Sequence, residues 1–415
     1  MPGQRDDLRR EELRNIYVFF QWILLVSHGD DYRNTIMENF IAYNPTSLHF
    51  GKDVLNDLGA TVSKYGSKVL LVYGKGSIKQ NGLYDQVMAQ LSKAKCTVYE
   101  YSGIRPNPVV DDVDAAASLG RHREVDVIVA VGGGSVIDSA KGIAVAIPVY
   151  HSAWEFWSGK AKPQSAVPLI AVLTLAATGT EMNPYAVLQN QKTKQKWGWG
   201  FPPLTYPKHS YLDPAYTLSV PRDYTGYGIA DLVVHALEAY FGKGEASLSD
   251  RIVFSIIQEA REYGPKLLKE LDNYTYRESI LYASTLALNG LTSHGRVSGD
   301  WGVHGVGHVL SALYDLPHGA SLTIVSPAWL KLIKDRDPER IIYLGKNLFN
   351  VNTLEETIAA VEAMYASFEC PTRMSHTDMP YEPELLFNTM VKNKSNGNHH
   401  KLSEEDYKKL IELMN

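Results

Sequence analysis

"VDVIVAVGGGSVIDSAKGIAVAI", Val125 to Ile147, is the stretch on which the fold turns. After Asp126 its first half is apolar and largely β-branched, from Val127 to Val131, the pattern of a strand buried on both faces. Gly132, Gly133 and Gly134 then break the strand, and Ser135 opens a segment with helical spacing. Glycines without a Cβ let backbone N–H groups approach a pyrophosphate, and the helix start behind them adds partial positive charge. The same residues also serve a plain tight turn from strand to helix. The spacing is neither G-x-G-x-x-G nor a P-loop with Gly-Lys-Ser/Thr.

Reading outward, the alternation repeats. "KVLLVYG" (Lys68–Gly74) predicts a buried strand, followed by a Gly-rich turn and the helical Leu83–Ala94. "CTVYEYSGI" (Cys96–Ile104) predicts another strand and Pro108–Glu124 a helix, and "PLIAVLTLAATGTE" (Pro168–Glu181) adds a further strand and turn. Strands that alternate with helices and are apolar throughout predict a parallel sheet covered on both faces, with ligands beyond the carboxyl ends of the strands. After Leu212–Gly226 the pattern becomes long and helical, as in Gly228–Phe241, and β-rich runs disappear. The expected class is thus an α/β, Rossmann-like dinucleotide-binding domain over 37–220, followed by an all-α metal-binding domain over 221–415. The turn Gly74, Lys75, Gly76, Ser77 contains no carboxylate to hold a ribose hydroxyl and repel a phosphate. Its cation and hydroxyl favour NADP(H) over NAD(H), unless the turn is merely solvated.

Composition bounds the partners. The chain has 415 residues, is 45% apolar and 21% charged, and carries a net charge of −5, so there is no electrostatic case for nucleic acid or an anionic membrane. Two distant cysteines, Cys96 and Cys370, make a disulfide framework unlikely and a reducing, cytoplasmic setting the simpler reading. The apolar run Ile16–Val26 is too short for a membrane-spanning helix, which needs about 20 residues. Residues 1–36 read as an extension outside the fold, with an anchor or export signal as the alternative. Met37 begins a self-sufficient stretch.

"WGVHGVGHVLSALYDLPHG" (Trp301–Gly319) holds three of the chain's 13 histidines. His304 and His308, four apart, share one helix face, and His318 follows Pro317 where a new helix would start. Asp231 and His235 repeat the four-residue spacing upstream, in an apolar segment where an unpaired carboxylate is costly. Paired helices presenting acids and imidazoles one turn apart are how helical domains build metal sites. Hydrogen-bonded core histidines, and Asp231 as a helix-start residue, are the alternatives. Gly305 after His304 removes the glutamate of an H-E-x-x-H protease.

Together, "YGKGSIKQNGLYDQV", "PNPVVDDV", "VAVGGGSVIDSAKGIA", "VLTLAATGTEMN", "LDPAYTLSVP", "GIADLVVHALEAYF" and "HGVGHVLSALYDLPHGASL" resemble the iron-dependent (group III) alcohol dehydrogenase family, in its butanol dehydrogenase and aldehyde reductase branch. The resemblance runs over roughly 37–415. It implies a metal-dependent oxidoreductase moving hydride between NAD(P)H and a small aldehyde or primary alcohol, and a homodimer. Asp231, His235, His304 and His318 would hold one Fe²⁺ or Zn²⁺, with His308 beside it as a proton relay. Gly133, Gly134 and Ser135 would take the pyrophosphate, with Asp138 near the nicotinamide end. Asn107, Thr174, Thr178 and Lys196 match further cofactor positions. Ser321 stands where the family has a glycine or alanine. A dehydroquinate-synthase-like lyase and a non-enzymatic binding protein are the competing readings. Trp154, Trp157, Trp197 and Trp199 suit a pocket for small aldehydes better than one for a phosphate-bearing substrate, or else they pack an interface.

Overall fold

The computed structural model describes residues 37–415. The segment read as an extension, 1–36, lies outside the described residues. Eight strands, β1 (Ser47–Phe50), β2 (Lys68–Tyr73), β3 (Thr97–Tyr101), β4 (Val127–Gly132), β5 (Leu169–Leu173), β6 (Tyr185–Asn190), β7 (Gln195–Gly200) and β8 (His209–Leu212), all precede residue 213. Six of them form one sheet in the order β1-β8-β5-β4-β2-β3, parallel throughout. Side-chain alternation explains its two cores. Leu70, Val72, Ile128, Ala130, Ala171 and Leu173 feed one face, and Val69, Leu71, Val129, Val131, Ile170 and Val172 feed the other.

Helices α1 (Leu58–Val62), α2 (Ser77–Gln80), α3 (Leu83–Lys93), α4 (Val110–His122), α5 (Gly134–Ala146) and α6 (Trp154–Trp157) accompany the sheet. The strand expected over Cys96–Ile104 is confined to Thr97–Tyr101; Gly103 follows in left-handed backbone (φ +90°) and its N–H reaches Gly74 O. The antiparallel hairpin β6–β7 is an element that the apolar periodicity did not disclose, because "KWGWG" alternates too weakly.

The C-terminal region is helical: α7 (Arg222–Tyr240), α8 (Ser247–Lys269), α9 (Tyr274–Leu288), α10 (Gly302–Tyr314), α11 (His318–Ile333), α12 (Pro338–Leu348), α13 (Leu354–Ser367), α14 (Pro383–Asn393) and α15 (Glu404–Leu413). They enclose a third core, with Val233, Ile257, Leu322 and Tyr365 fully buried. Among the described residues, no helix is long and apolar enough to cross a membrane.

Candidate active site

Three glycine- and threonine-rich turns leave the carboxyl ends of adjacent strands. Gly74–Ser77 follows β2, Gly133–Ser135 follows β4, and Thr174–Thr178 follows β5, and β2-β4-β5 are neighbours in the sheet. Gly133 and Ser135 are partly exposed at the mouth of this row, while Lys75 and Ser77 stand in solvent. A Cβ on Gly134 would lie 2.7 Å from Thr178 Oγ1, so only glycine lets the start of α5 close against the β5 turn. Thr174 N–H donates to Gly132 O at 3.0 Å, locking the two turns together. The result is a row of backbone donors at the start of α5, suited to an anionic phosphate.

Asp138 is buried one turn into α5, and its carboxylate is satisfied inside the protein. Thr180 Oγ1 donates to Oδ1 at 2.6 Å and Val187 N–H to Oδ2 at 2.9 Å. Lys141, one turn further, is fully buried and was not singled out from sequence; its i+3 spacing from Asp138 is the signal available. Its ammonium donates to the carbonyls of Thr180 (2.6 Å), Asn183 (2.8 Å) and Tyr185 (2.6 Å), tying α5 to the hairpin. Burial pushes Lys141 down to about 7, against the opposing pull of Asp138 and Glu181. Lys196 on β7 donates to Asn107 Oδ1 at 2.8 Å, and Asn107 Nδ2 to Asp315 Oδ1 at 3.3 Å. Burial lowers Lys196 to about 8. Asn107 and Lys196, 89 residues apart, therefore meet at the sheet side of the helical region.

On the helical side, Asp231 and His235 lie in the middle of α7, so Asp231 is not a helix-start residue. His304 and His308 lie on α10, and His318 opens α11 behind Pro317, as its spacing predicts. Asp231, His304 and His318 each offer a ligand atom within 4.8 Å of the others. From Asp231 Oδ1 the distances are 3.8 Å to His304 Nε2, 3.7 Å to His318 Nε2 and 3.5 Å to His235 Nδ1. His235 stands to one side, its ring stacked on that of His304 at 4.6 Å. The His308 ring is 5.4 Å from that of His318.

These separations are too long for hydrogen bonds but suit atoms sharing a cation with bonds of about 2.1 Å. Both Asp231 oxygens, His235 Nδ1, His304 Nε2, His308 Nε2 and His318 Nδ1 are buried without a hydrogen-bond partner among the described residues. The unpartnered oxygens of Asp231, with the unpartnered His235 Nδ1 and His304 Nε2 3.5 and 3.8 Å from its Oδ1, would be costly to bury, and a divalent metal relieves that cost. The donor set of one carboxylate and imidazoles fits Fe²⁺ or Zn²⁺.

Electrostatics agree with that fit. Burial alone would raise Asp231, but His235, His318 and His304 hold its carboxyl well below the usual range. Burial lowers His235 to about 4 and takes His318 well below its ordinary value. Burial would lower His304 too, but Asp231 and Glu238 outweigh it and raise the imidazole to about 9. An imidazole held between two carboxylates takes a proton; a cation at that point displaces it.

Glu238 is the other residue that the sequence reading passed over. Its Oε1 accepts from the backbone N–H of His304 at 2.9 Å and lies 3.3 Å from His304 Nδ1. That contact fixes the ring with Nε2 turned toward Asp231. The signal was present: Asp231, His235 and Glu238 follow i, i+4, i+7, one stripe of α7. The tryptophans belong elsewhere. Trp154 and Trp157 are buried in the sheet-side core, Trp154 stacks on Trp197 at 5.4 Å, and Trp199 is exposed. Trp154, Trp157 and Trp197 pack the sheet-side core rather than line the histidine cluster.

Comparison with known proteins agrees with this geometry. Residues 45–214 match the iron-containing alcohol dehydrogenase model, and residues 225–414 match the C-terminal model of the Fe-containing alcohol dehydrogenase family. The chain belongs to the iron-containing alcohol dehydrogenase family. It is accordingly an oxidoreductase that works with a nicotinamide cofactor and an iron-type metal. Among its relatives, a probable NADH-dependent butanol dehydrogenase 2 of Bacillus subtilis is 42% identical over 383 residues, 89% of this chain and 98% of the relative. The NADPH-dependent aldehyde reductase YqhD of Escherichia coli is 35% identical over 349 residues, 82% of this chain and 89% of that protein. The crystal structure of an NADH-dependent butanol dehydrogenase A from Thermotoga maritima superposes with a TM-score of 0.89 at 34% identity, covering 92% of this chain and 100% of the other.

Proposed function

We propose that the chain transfers hydride between NADP(H) and a small aldehyde or primary alcohol of the butanal/butanol kind. In this reading Asp231, His235, His304 and His318 hold one divalent metal, Fe²⁺ or Zn²⁺. Gly133, Gly134 and Ser135 take the pyrophosphate, and Asn107, Thr174, Thr178 and Lys196 line the rest of the cofactor's path. Asp138, engaged by Thr180 and Val187, anchors the loop near the nicotinamide end. The observation that carries the reading is the convergence of ligand atoms from Asp231, His304 and His318, with the Asp231 oxygens, His235 Nδ1 and His304 Nε2 buried and without a hydrogen-bond partner among the described residues. The bound metal would supply Lewis-acid polarisation of a carbonyl oxygen, and the nicotinamide the hydride.

The protein's own part is positioning and proton handling. His308 Nε2 is buried without a hydrogen-bond partner among the described residues, and burial and the charge of Lys196 hold the imidazole well below the ordinary histidine range. It is therefore a neutral imidazole at pH 7, able to accept a proton at one nitrogen and release one from the other. We expect His308→Ala to lower kcat by about 10²-fold, the low end for a positioned acid–base group, with metal content intact. A kcat–pH series on metal-loaded protein tests it; an unchanged rate and profile would remove His308 from the mechanism.

For the cofactor, Lys75 and Ser77 are free to meet a 2′-phosphate. The nearest strand carboxylate, Glu100 on β3, accepts from Tyr73 Oη at 2.6 Å and Tyr84 Oη at 2.9 Å, with Lys79 Nζ 3.9 Å away. An acid so engaged is a poor partner for a ribose hydroxyl. The named relatives divide between NADH and NADPH. The deciding experiment follows oxidation of both cofactors with butanal, on protein stripped by chelator and reloaded with Fe²⁺ or Zn²⁺. Turnover should vanish and return with metal, and kcat/KM should be higher for NADPH. A preference for NADH would overturn the reading of Gly74–Ser77, and no turnover with any metal would overturn the reading of butanal-like aldehydes as substrates.

A further inference from the structure

A second group of metal-type donors lies apart from the first. Asp337, at the corner between α11 and α12, faces His399 and His400 in the loop between α14 and α15. One ligand atom from each of the three lies within 4.8 Å of the others. His400 Nε2 and Asp337 Oδ2 are 3.8 Å apart, too long for a hydrogen bond and close to the spacing of two ligands on one ion. His400 is only 6% exposed, and its Nε2 is buried with no partner among the described residues. A buried imidazole nitrogen aimed at a carboxylate it does not bond calls for a third party.

The surrounding contacts fix the loop backbone that carries both histidines, and the ring of His399, before any ion arrives. Asp300 Oδ1 accepts from the backbone N–H of both His399 and His400, each at 2.9 Å. Asn398 adds a side-chain bond to Gly299 O at 3.2 Å. A Cβ on Gly397 would come 2.7 Å from His400 O, so the loop closes only with glycine there. His399 Nδ1 lies 3.2 Å from Phe241 O. That bond fixes the tautomer and leaves Nε2 as the free donor, the outer-shell arrangement of metal-binding histidines. Two nearby arginines are already engaged: Arg340 with Asp250 at 2.7 and 2.8 Å, and Arg336 with Asp406 and Lys401 O.

We propose that Asp337, His399 and His400 form a second, structural site for a divalent transition metal of the Zn²⁺ class, clamping the loop before α15 to the α11–α12 corner. Two imidazoles and one carboxylate select such an ion over Mg²⁺ or Ca²⁺, which prefer oxygen. The remaining coordination position would be filled by water, since Asp337 and His399 reach the surface.

The test is Zn²⁺ stoichiometry on the full chain after chelator stripping, by equilibrium dialysis and elemental analysis. Wild type should take two equivalents, and His400→Gln and Asp337→Asn should each take one. Asp231→Asn, which removes a ligand of the other site, should keep one, and added Zn²⁺ should raise its Tm. A single equivalent in wild type would overturn the proposal. So would a second equivalent that survives in Asp337→Asn, a substitution at a partly exposed position that decides the matter even if His400→Gln does not fold.

Discussion

Asp231→Asn is expected to cut kcat by about 10³-fold or more and to release the active-centre metal. Asp231 is the one carboxylate of the proposed ligand set, and three histidines lie within 3.5–3.8 Å of its Oδ1. Asparagine keeps the size but removes the charge that balances a divalent cation among imidazoles. Loss of Lewis-acid polarisation costs several kcal/mol, and about 1.4 kcal/mol is a factor of ten, so about 4 kcal/mol corresponds to the stated loss. Glu238→Gln separates holding the metal from orienting its ligand. It keeps an acceptor near His304 but loses the charge, and should weaken metal affinity by about 10–100-fold, the range for outer-shell partners. Excess metal should restore most of its activity, whereas Asp231→Asn should stay inactive. Metal titration beside steady-state rates measures both; an Asp231→Asn protein with wild-type metal content and turnover would dismiss the site.

The second large effect is expected at Gly134. Gly134→Ala places a methyl 2.7 Å from Thr178 Oγ1 and 2.8 Å from Thr178 Cγ2, in the crowded turn where the cofactor's phosphates would lie. Either Thr178 gives way or the start of α5 shifts, and the backbone donors move with it. Each charge-assisted hydrogen bond to phosphate is worth about 1.5–3 kcal/mol, so losing one weakens cofactor binding by about 10–100-fold. Metal content should be unchanged, because the proposed ligands sit on α7, α10 and α11. Fluorescence titration with NADPH reads the dissociation constant directly. Pairing Gly134→Ala with Thr178→Ala removes both close contacts; recovery of binding in the pair would locate the damage at Thr178. Unchanged affinity in Gly134→Ala would mean that the glycine serves only the strand-to-helix turn.

Much of the site can be read from local pattern. The apolar, largely β-branched run Val127–Val131 before Gly132 declares a strand covered on both faces, and β4 is buried along its whole length. The Asp231–His235 and His304–His308 pairs fall on helix faces because spacing of four is a local property of the α-helix. Pro317 marks the start of α11 for the equally local reason that proline suits a first helical turn. The family resemblance then joined these pieces, and the described fold carries the same order of elements.

Local pattern alone thus separates the alternating α/β half from the helical half and supplies the residue types of the proposed metal centre. Which of those residues meet depends on packing between distant segments. Glu238 reaches His304 across 66 residues and Lys196 reaches Asn107 across 89. Those contacts depend on how α7 packs against α10 and how the β6–β7 hairpin folds over α5, which no short window encodes. Trp154 and Trp197 illustrate the same limit, since an aromatic side chain suits a substrate pocket or a core equally well until its neighbours are known. The physical reason is common to all three. Backbone periodicity comes from forces between residues a few positions apart, whereas the environment of a buried polar or aromatic group is set by whatever distant surface closes over it.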